Sequence, residues 1–147
     1  MKKIIFILFG LSLFFTTLSA ACYVKKVVPG DGPALKAYCW DIVSVSSTQQ
    51  GINNFEDTKY KTSTTLDHGE QEIRVKIDTY GRVSDYTKGE INGQDMVLFQ
   101  TQNIINEFNI LIGTSYWYKR INNTLANGNI YARDNSTGIR QDTLYFK

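Results

Sequence analysis

Apolar and polar positions alternate most cleanly at residues 72–78, where Ile73, Val75 and Ile77 take one side and Arg74, Lys76 and Asp78 the other. A period of two sends successive side chains to opposite faces, so this segment predicts a strand with one buried and one wet face. Asp78-Thr79-Tyr80-Gly81 then reads as a turn, with Gly81 supplying positive φ and residues 82–87 returning as the hairpin partner. Residues 38–46 (YCWDIVSVS) are rich in aromatic and β-branched side chains and predict another strand. Residues 59–66 (KYKTSTTL) place Tyr60, Thr62, Thr64 and Leu66 on one face and predict a further one. The polar stretch 46–71 around it is the most loop-like part of the chain and is expected to be mobile.

From residue 92 the period changes. Val97, Ile104, Ile105, Phe108, Leu111 and Ile112 fall on one stripe at helical spacing. Asn92 is a good N-cap, Asp95 sits near the positive end of the dipole, and Gly113 is placed to end the helix in a left-handed cap. Residues 96–100 are apolar enough for a strand, but the longer period from Ile104 onward favours a helix. Strand patterns resume at 115–121 (SYWYKRI). Asn127-Gly128 predicts a hairpin turn into a strand at 129–133. Residues 134–138 (DNSTG) turn again and 139–146 close the chain. A lone amphipathic helix must bury its stripe against a sheet. The expected fold is therefore α+β: mainly antiparallel sheet, about seven strands, packed against or curled around one helix.

The first 21 residues have a different character. Lys2 and Lys3, the apolar run 4–13 and the small residues around Ala21 have the three parts of a secretory signal peptide. Two segments are expected: a removable leader at 1–21 and a single β-rich domain at 22–147, exported to the medium, the periplasm or the envelope. Two cysteines remain, Cys22 and Cys39. In an oxidising compartment they can pair, closing a loop that would stabilise the fold by about 3 kcal/mol. Ser19-Ala20-Ala21-Cys22 also resembles the end of the bacterial lipobox, although Leu18 lies one position too early. That resemblance implies a lipoprotein anchored through Cys22 and leaves Cys39 a free thiol. The disulfide accounts for both cysteines.

Charge narrows the partners. Leader removal takes two lysines and no acid, leaving fourteen basic and fourteen acidic side chains. A neutral surface argues against a nucleic-acid partner, which calls for clustered positive charge. Membrane contact is expected only through lipidation of Cys22. Two cysteines and one histidine cannot close a structural zinc site, and no phosphate loop or calcium loop is present, so neither metal nor cofactor is expected.

Candidate chemistry is sparse. His68, the single histidine, is expected as a solvated loop residue and only remotely as a general base, and no pair of acids is marked out for hydrolysis. Tyr116-Trp117-Tyr118 is the one aromatic cluster: on a strand the tyrosines share a face opposite Trp117. If exposed, these rings are the binding site for a protein or glycan; otherwise they pack against both faces of the sheet. Asn122-Asn123-Thr124 and Asn135-Ser136-Thr137 match the glycosylation tripeptide but read equally as polar turns. The expected function is a non-enzymatic binding protein, inhibitor-like or immunity-like. The alternatives are a lipid-anchored envelope factor and a small cell-wall hydrolase.

Intact mass of the exported protein separates these readings of Cys22. We expect residues 22–147 less two hydrogens; an acyl increment on an N-terminal cysteine would instead establish lipidation.

Overall fold

The computed structural model describes residues 22–31, 36–81 and 87–147; the expected leader at 1–21 lies outside the described residues. The described residues form nine strands and no helix: β1 (Cys39–Ser47), β2 (Glu56–Asp57), β3 (Gln71–Tyr80), β4 (Thr87–Ile91), β5 (Gln94–Asp95), β6 (Val97–Ile105), β7 (Leu111–Asn123), β8 (Gly128–Asp134) and β9 (Arg140–Phe146). They make two antiparallel sheets, a five-stranded one ordered β2-β1-β3-β7-β6 and a four-stranded one ordered β5-β4-β8-β9.

The alternation at residues 72–78 is the organising feature of the larger sheet. Ile73, Val75 and Ile77 are each 0 % exposed and share one core with Ile42 and Val45 of β1 and with Tyr116 and Tyr118 of β7. The second sheet closes that core with Ile91, Ile130, Ala132, Leu144 and Phe146. Polar links join the layers: the Tyr118 hydroxyl donates to the Thr87 carbonyl, the Thr79 and Thr87 hydroxyls bond each other, and the Ile42 N–H donates to Asp142 at 2.8 Å. Cys22 and Cys39 form a disulfide with their Cα atoms 5.7 Å apart, tying the N-terminal segment to the start of β1.

The expected α+β architecture is overturned, because the segment read as a helix is β-structure. Asn92 and Gly93 have φ of 45° and 82° and occupy the tight turn between β4 and β5. An Asn-Gly pair supplies the two positive φ values such a turn needs, so Asn92 serves a hairpin rather than an N-cap. The stripe Val97, Ile104, Ile105, Phe108, Leu111 and Ile112 is divided among β6, a turn and β7. In that turn the Asn106 side chain accepts from the N–H groups of Phe108 and Ile110, both at 3.0 Å, and Asn109 sits at φ 59°. Val97, Thr101, Ile104 and Ile105 are β-branched, and asparagines stand at 103, 106 and 109. Both types are poor helix formers, and the open edge of β7 offers the segment a ladder instead.

Two smaller expectations fail for one shared reason, the occupancy of strand edges, and a third fails separately. β3 runs on through Tyr80 with β1 on one side and β7 on the other, so no hairpin partner follows it. Of the expected return at 82–87, residues 82–86 lie outside the described residues and Thr87 begins β4 in the other sheet. β7 is likewise flanked by β3 and β6, so 124–127 carries the chain across to the second sheet rather than making a hairpin. Residues 59–66 are irregular; only Ser63 bridges, in parallel, to Tyr145.

Gly113 is a strand residue, not a helix cap. A Cβ there would lie 2.4 Å from the Thr79 carbonyl oxygen on β3. We expect Gly113→Ala to destabilise the protein by about 2 kcal/mol, as overpacking does, and Gly113→Asn by at least as much. A left-handed cap would tolerate the asparagine; denaturant titration of both variants distinguishes the two roles.

Candidate binding face and buried polar clusters

The two outer faces of the sandwich differ. On the four-stranded sheet the charges answer one another. Glu90 accepts from Arg140 and lies 3.4 Å from Arg133, which reaches Asp95 at 2.7 Å; Lys88 meets Asp95 at 3.4 Å. The Arg140 guanidinium stacks 3.7 Å over Tyr131.

The outer face of the five-stranded sheet is built around an aromatic ring. Register sets it: Val75 pairs with Tyr118 and Ile77 with Tyr116, so the residue between them, Trp117, faces outward opposite Lys76. The tyrosine face is thus the buried one, with Tyr116 2 % and Tyr118 3 % exposed. Of the three ring residues singled out from sequence, Trp117 alone stays within reach of a partner, half-buried. The Lys76 ammonium lies 5.1 Å over the Trp117 ring. Phe99, 38 % exposed on β6, is approached by Arg74 at 5.3 Å and Lys119 at 5.5 Å. Glu72 and Asp78 answer Arg74 and Lys76 at 2.7 and 3.5 Å. Lys119 has no carboxylate within ion-pair distance among the described residues. Sequence reasoning missed Phe99, because a helical reading of β6 does not bring it beside Trp117; Lys119, two residues on from Trp117 along the predicted strand, could have been placed on the same face.

His68 is not a solvated loop residue. Its ring is 0 % exposed, with Nε2 3.0 Å from Glu56 and Nδ1 3.1 Å from the Ser47 hydroxyl. An ionised Glu56 only accepts, so Nε2–H donates to it and, in the neutral ring, Nδ1 accepts from Ser47. The connectivity is that of a nucleophile, a base and an orienting acid. Yet Ser47 is itself 0 % exposed, so no substrate reaches its hydroxyl. The cluster is a clamp. Glu56 also accepts from the backbone N–H groups of Thr65 and Leu66, at 2.7 and 3.0 Å, and from Lys61 at 3.2 Å. This carboxylate is one of the groups that hold the stretch expected to be mobile; it lies twelve residues from His68, whereas the sequence neighbour Asp67 takes no part in the cluster. Burial pushes the Glu56 carboxyl up, but the hydrogen bonds from Thr65, Leu66, His68 and Lys61 outweigh it and hold the group at about 2.

Asp41 has the opposite setting. It is 4 % exposed at the edge of β1, and one carboxylate oxygen has no hydrogen-bond partner. Burial first, then the negative charges of Asp142, Asp78 and Asp57, raise it to about 6 despite the opposing Lys59. Asp142, on β9, spends an oxygen on the Ile42 N–H at 2.8 Å. No group of three or more metal-ligating side chains converges among the described residues. An open cavity of about 680 Å³ lies at the end of the five-stranded sheet, lined by Thr48, Glu70, Glu72, Ile121, Asn122 and Asn123. It takes in the Asn122 glycosylation tripeptide, whereas the Asn135 tripeptide sits in the β8–β9 turn.

Fold and face together define a disulfide-closed, all-β domain of two antiparallel sheets. The chain belongs to the family of the domain of unknown function DUF4879, whose profile matches residues 32–146. No curated protein and no solved structure matches it significantly.

The two carboxylates predict an acid-shifted stability profile. Glu56, depressed from 4.5 to about 2, contributes about 3 kcal/mol that is present above pH 4.5 and lost as pH falls toward 2. Asp41, raised from 3.8 to about 6, binds its proton more tightly when folded, so its contribution is full below 3.8 and lost as pH rises through 6. We expect denaturant stability to peak between about pH 4 and 5. Glu56→Gln should remove the loss on the acid side and lower stability at neutral pH, and Asp41→Asn should flatten the decline on the neutral side. A profile unchanged by either variant contradicts these assignments.

Proposed function

We propose that the protein is an exported, non-enzymatic binding protein that meets a protein partner on the outer face of its five-stranded sheet. The observation that carries this reading is Trp117, held outward on the outer face of the five-stranded sheet with Lys76 over its ring and Phe99 and Lys119 beside it. Tryptophan and arginine are enriched among interface hot spots. The outer face of the other sheet spends its charges on itself and offers less.

Export is supported by the leader pattern of residues 1–21 and by a disulfide in a small domain, a chemistry of oxidising compartments. A lipid anchor at Cys22 would need the sulfur that the bridge to Cys39 uses. A hydrolytic role for His68 finds no support in a ring sealed from solvent.

The test is to load the mature domain with a photo-reactive side chain at position 117 and expose it to the extracellular or envelope fraction. A control chain carries the probe at Tyr145 on the other sheet. We expect a protein crosslinked from position 117 only. Its affinity for the unlabelled domain should fall about thirtyfold or more in Trp117→Ala, the loss of a hot-spot residue, with the melting temperature nearly unchanged. Equal binding by wild type, Trp117→Ala and Lys119→Glu would refute the assignment of this face.

A further inference from the structure

A sheet must manage its edges, because an unpaired strand presents free N–H and C=O groups to any other strand. Three of the four edges here are occupied. β1 is covered by β2 and by Thr58, whose N–H and hydroxyl both bond β1 carbonyls. β4 is covered by β5 and by the Met96 N–H, bonded to the Gly89 carbonyl at 2.8 Å. β9 is covered by the clamped segment, through Thr62, Thr64 and His68. β6 is the exception: it pairs with β7 on one side and with nothing on the other among the described residues.

β6 also lacks the usual protection of an open edge. Its sequence, VLFQTQNII, contains no charged residue and no proline, and eight of its nine residues are exposed. Exposed apolar side chains lie at both ends, Val97 at 61 % and Ile105 at 53 %, with a polar middle of Gln100, Thr101 and Gln102. The order is nearly the same in both directions, apolar at the two ends and polar between, with Phe99 and Asn103 the one unlike pair. Turned antiparallel on a copy of itself about Thr101, the strand sets Val97–Phe99 of one chain against Asn103–Ile105 of the other. Gln100 then faces Gln102 and Thr101 faces Thr101. The two bulges against β7 fall at Leu98/Gln100 and Ile104/Ile105, clear of that central pairing.

We infer that β6 is the interface for a second copy of this chain, joined edge to edge about a two-fold axis so that the two five-stranded sheets run on as one. A two-fold contact requires a patch complementary to itself, which this strand has. Cross-strand Thr–Thr and apolar pairs supply side-chain complementarity, and the main-chain ladder supplies affinity. The pairing takes up Phe99 at the margin of the Trp117 face but leaves Trp117, Lys76 and Lys119 uncovered, so this inference is tested apart from the reading of that face.

Sedimentation of the mature, disulfide-closed chain over a range of concentrations tests it. We expect a reversible dimer. Thr101→Lys and Thr101→Glu each set like charges against themselves and should weaken self-association about tenfold or more. Their circular dichroism should match wild type, since Thr101 is exposed. Mixing the two variants should restore the dimer, because lysine then faces glutamate; Trp117→Ala should leave it unchanged. A wild-type chain that stays monomeric up to about millimolar concentration overturns the inference. So does a dimer that survives Thr101→Lys, or a mixture that fails to reassociate.

Discussion

With β1 bonded along one edge of β3 and β7 along the other, the alternation of Ile73, Val75 and Ile77 constrains every neighbouring side chain. A slip of one residue would turn Arg74, Lys76 and Asp78 into the core and expose all three aliphatics, a cost of several kcal/mol in buried charge alone. The register to β7 is therefore rigidly specified. It buries Tyr116 and Tyr118, and it forces Trp117 outward opposite Lys76. The aromatic face proposed for binding is thus a consequence of how the core is packed.

Charge inside the fold works in two opposite ways. Glu56 is nearly buried but collects two backbone donors, a lysine and a histidine, so ionisation is strongly favoured and the carboxylate organises the loop that covers β9. Asp41 is just as enclosed but lacks a partner for one oxygen and stands among other acids, so ionisation opposes folding. Burial is similar in the two cases. The supply of donors decides the sign.

Edge management explains the topology. Because β3 and β7 have both sides taken, neither is followed by a hairpin partner, and the chain crosses to the second layer after each of them. Clamped loops and two-residue strands then cover the remaining edges, except at β6. The edge of β7 that receives β6 leaves the far side of β6 open among the described residues.

Much of the β-structure was legible in the chain. The strands at 38–46, 72–78, 129–133 and 139–146 appear within a residue or two of where alternation and β-branched content place them, as does the turn at 134–138; the strand at 115–121 is the core of a longer β7 that begins four residues earlier. The pairing of Cys22 with Cys39 was legible too, since two cysteines permit only one intramolecular bridge. Local pattern carries this information because side-chain period and turn chemistry act between residues close in sequence. Partner choice lies beyond it. Whether 97–112 forms a helix or two strands depended on a vacant edge of β7, and Asn92-Gly93 became a turn only when β5 had β4 to fold back upon. His68 looked solvated because its neighbours are polar; Glu56 and Ser47, which bury it, are twelve and twenty-one residues away. The sequence by itself determined which residues alternate, which turn and which cysteines join. Only the tertiary structure decided which strands pair, which acid is satisfied and which aromatic ring reaches solvent, because each of those is a competition for neighbours distant along the chain.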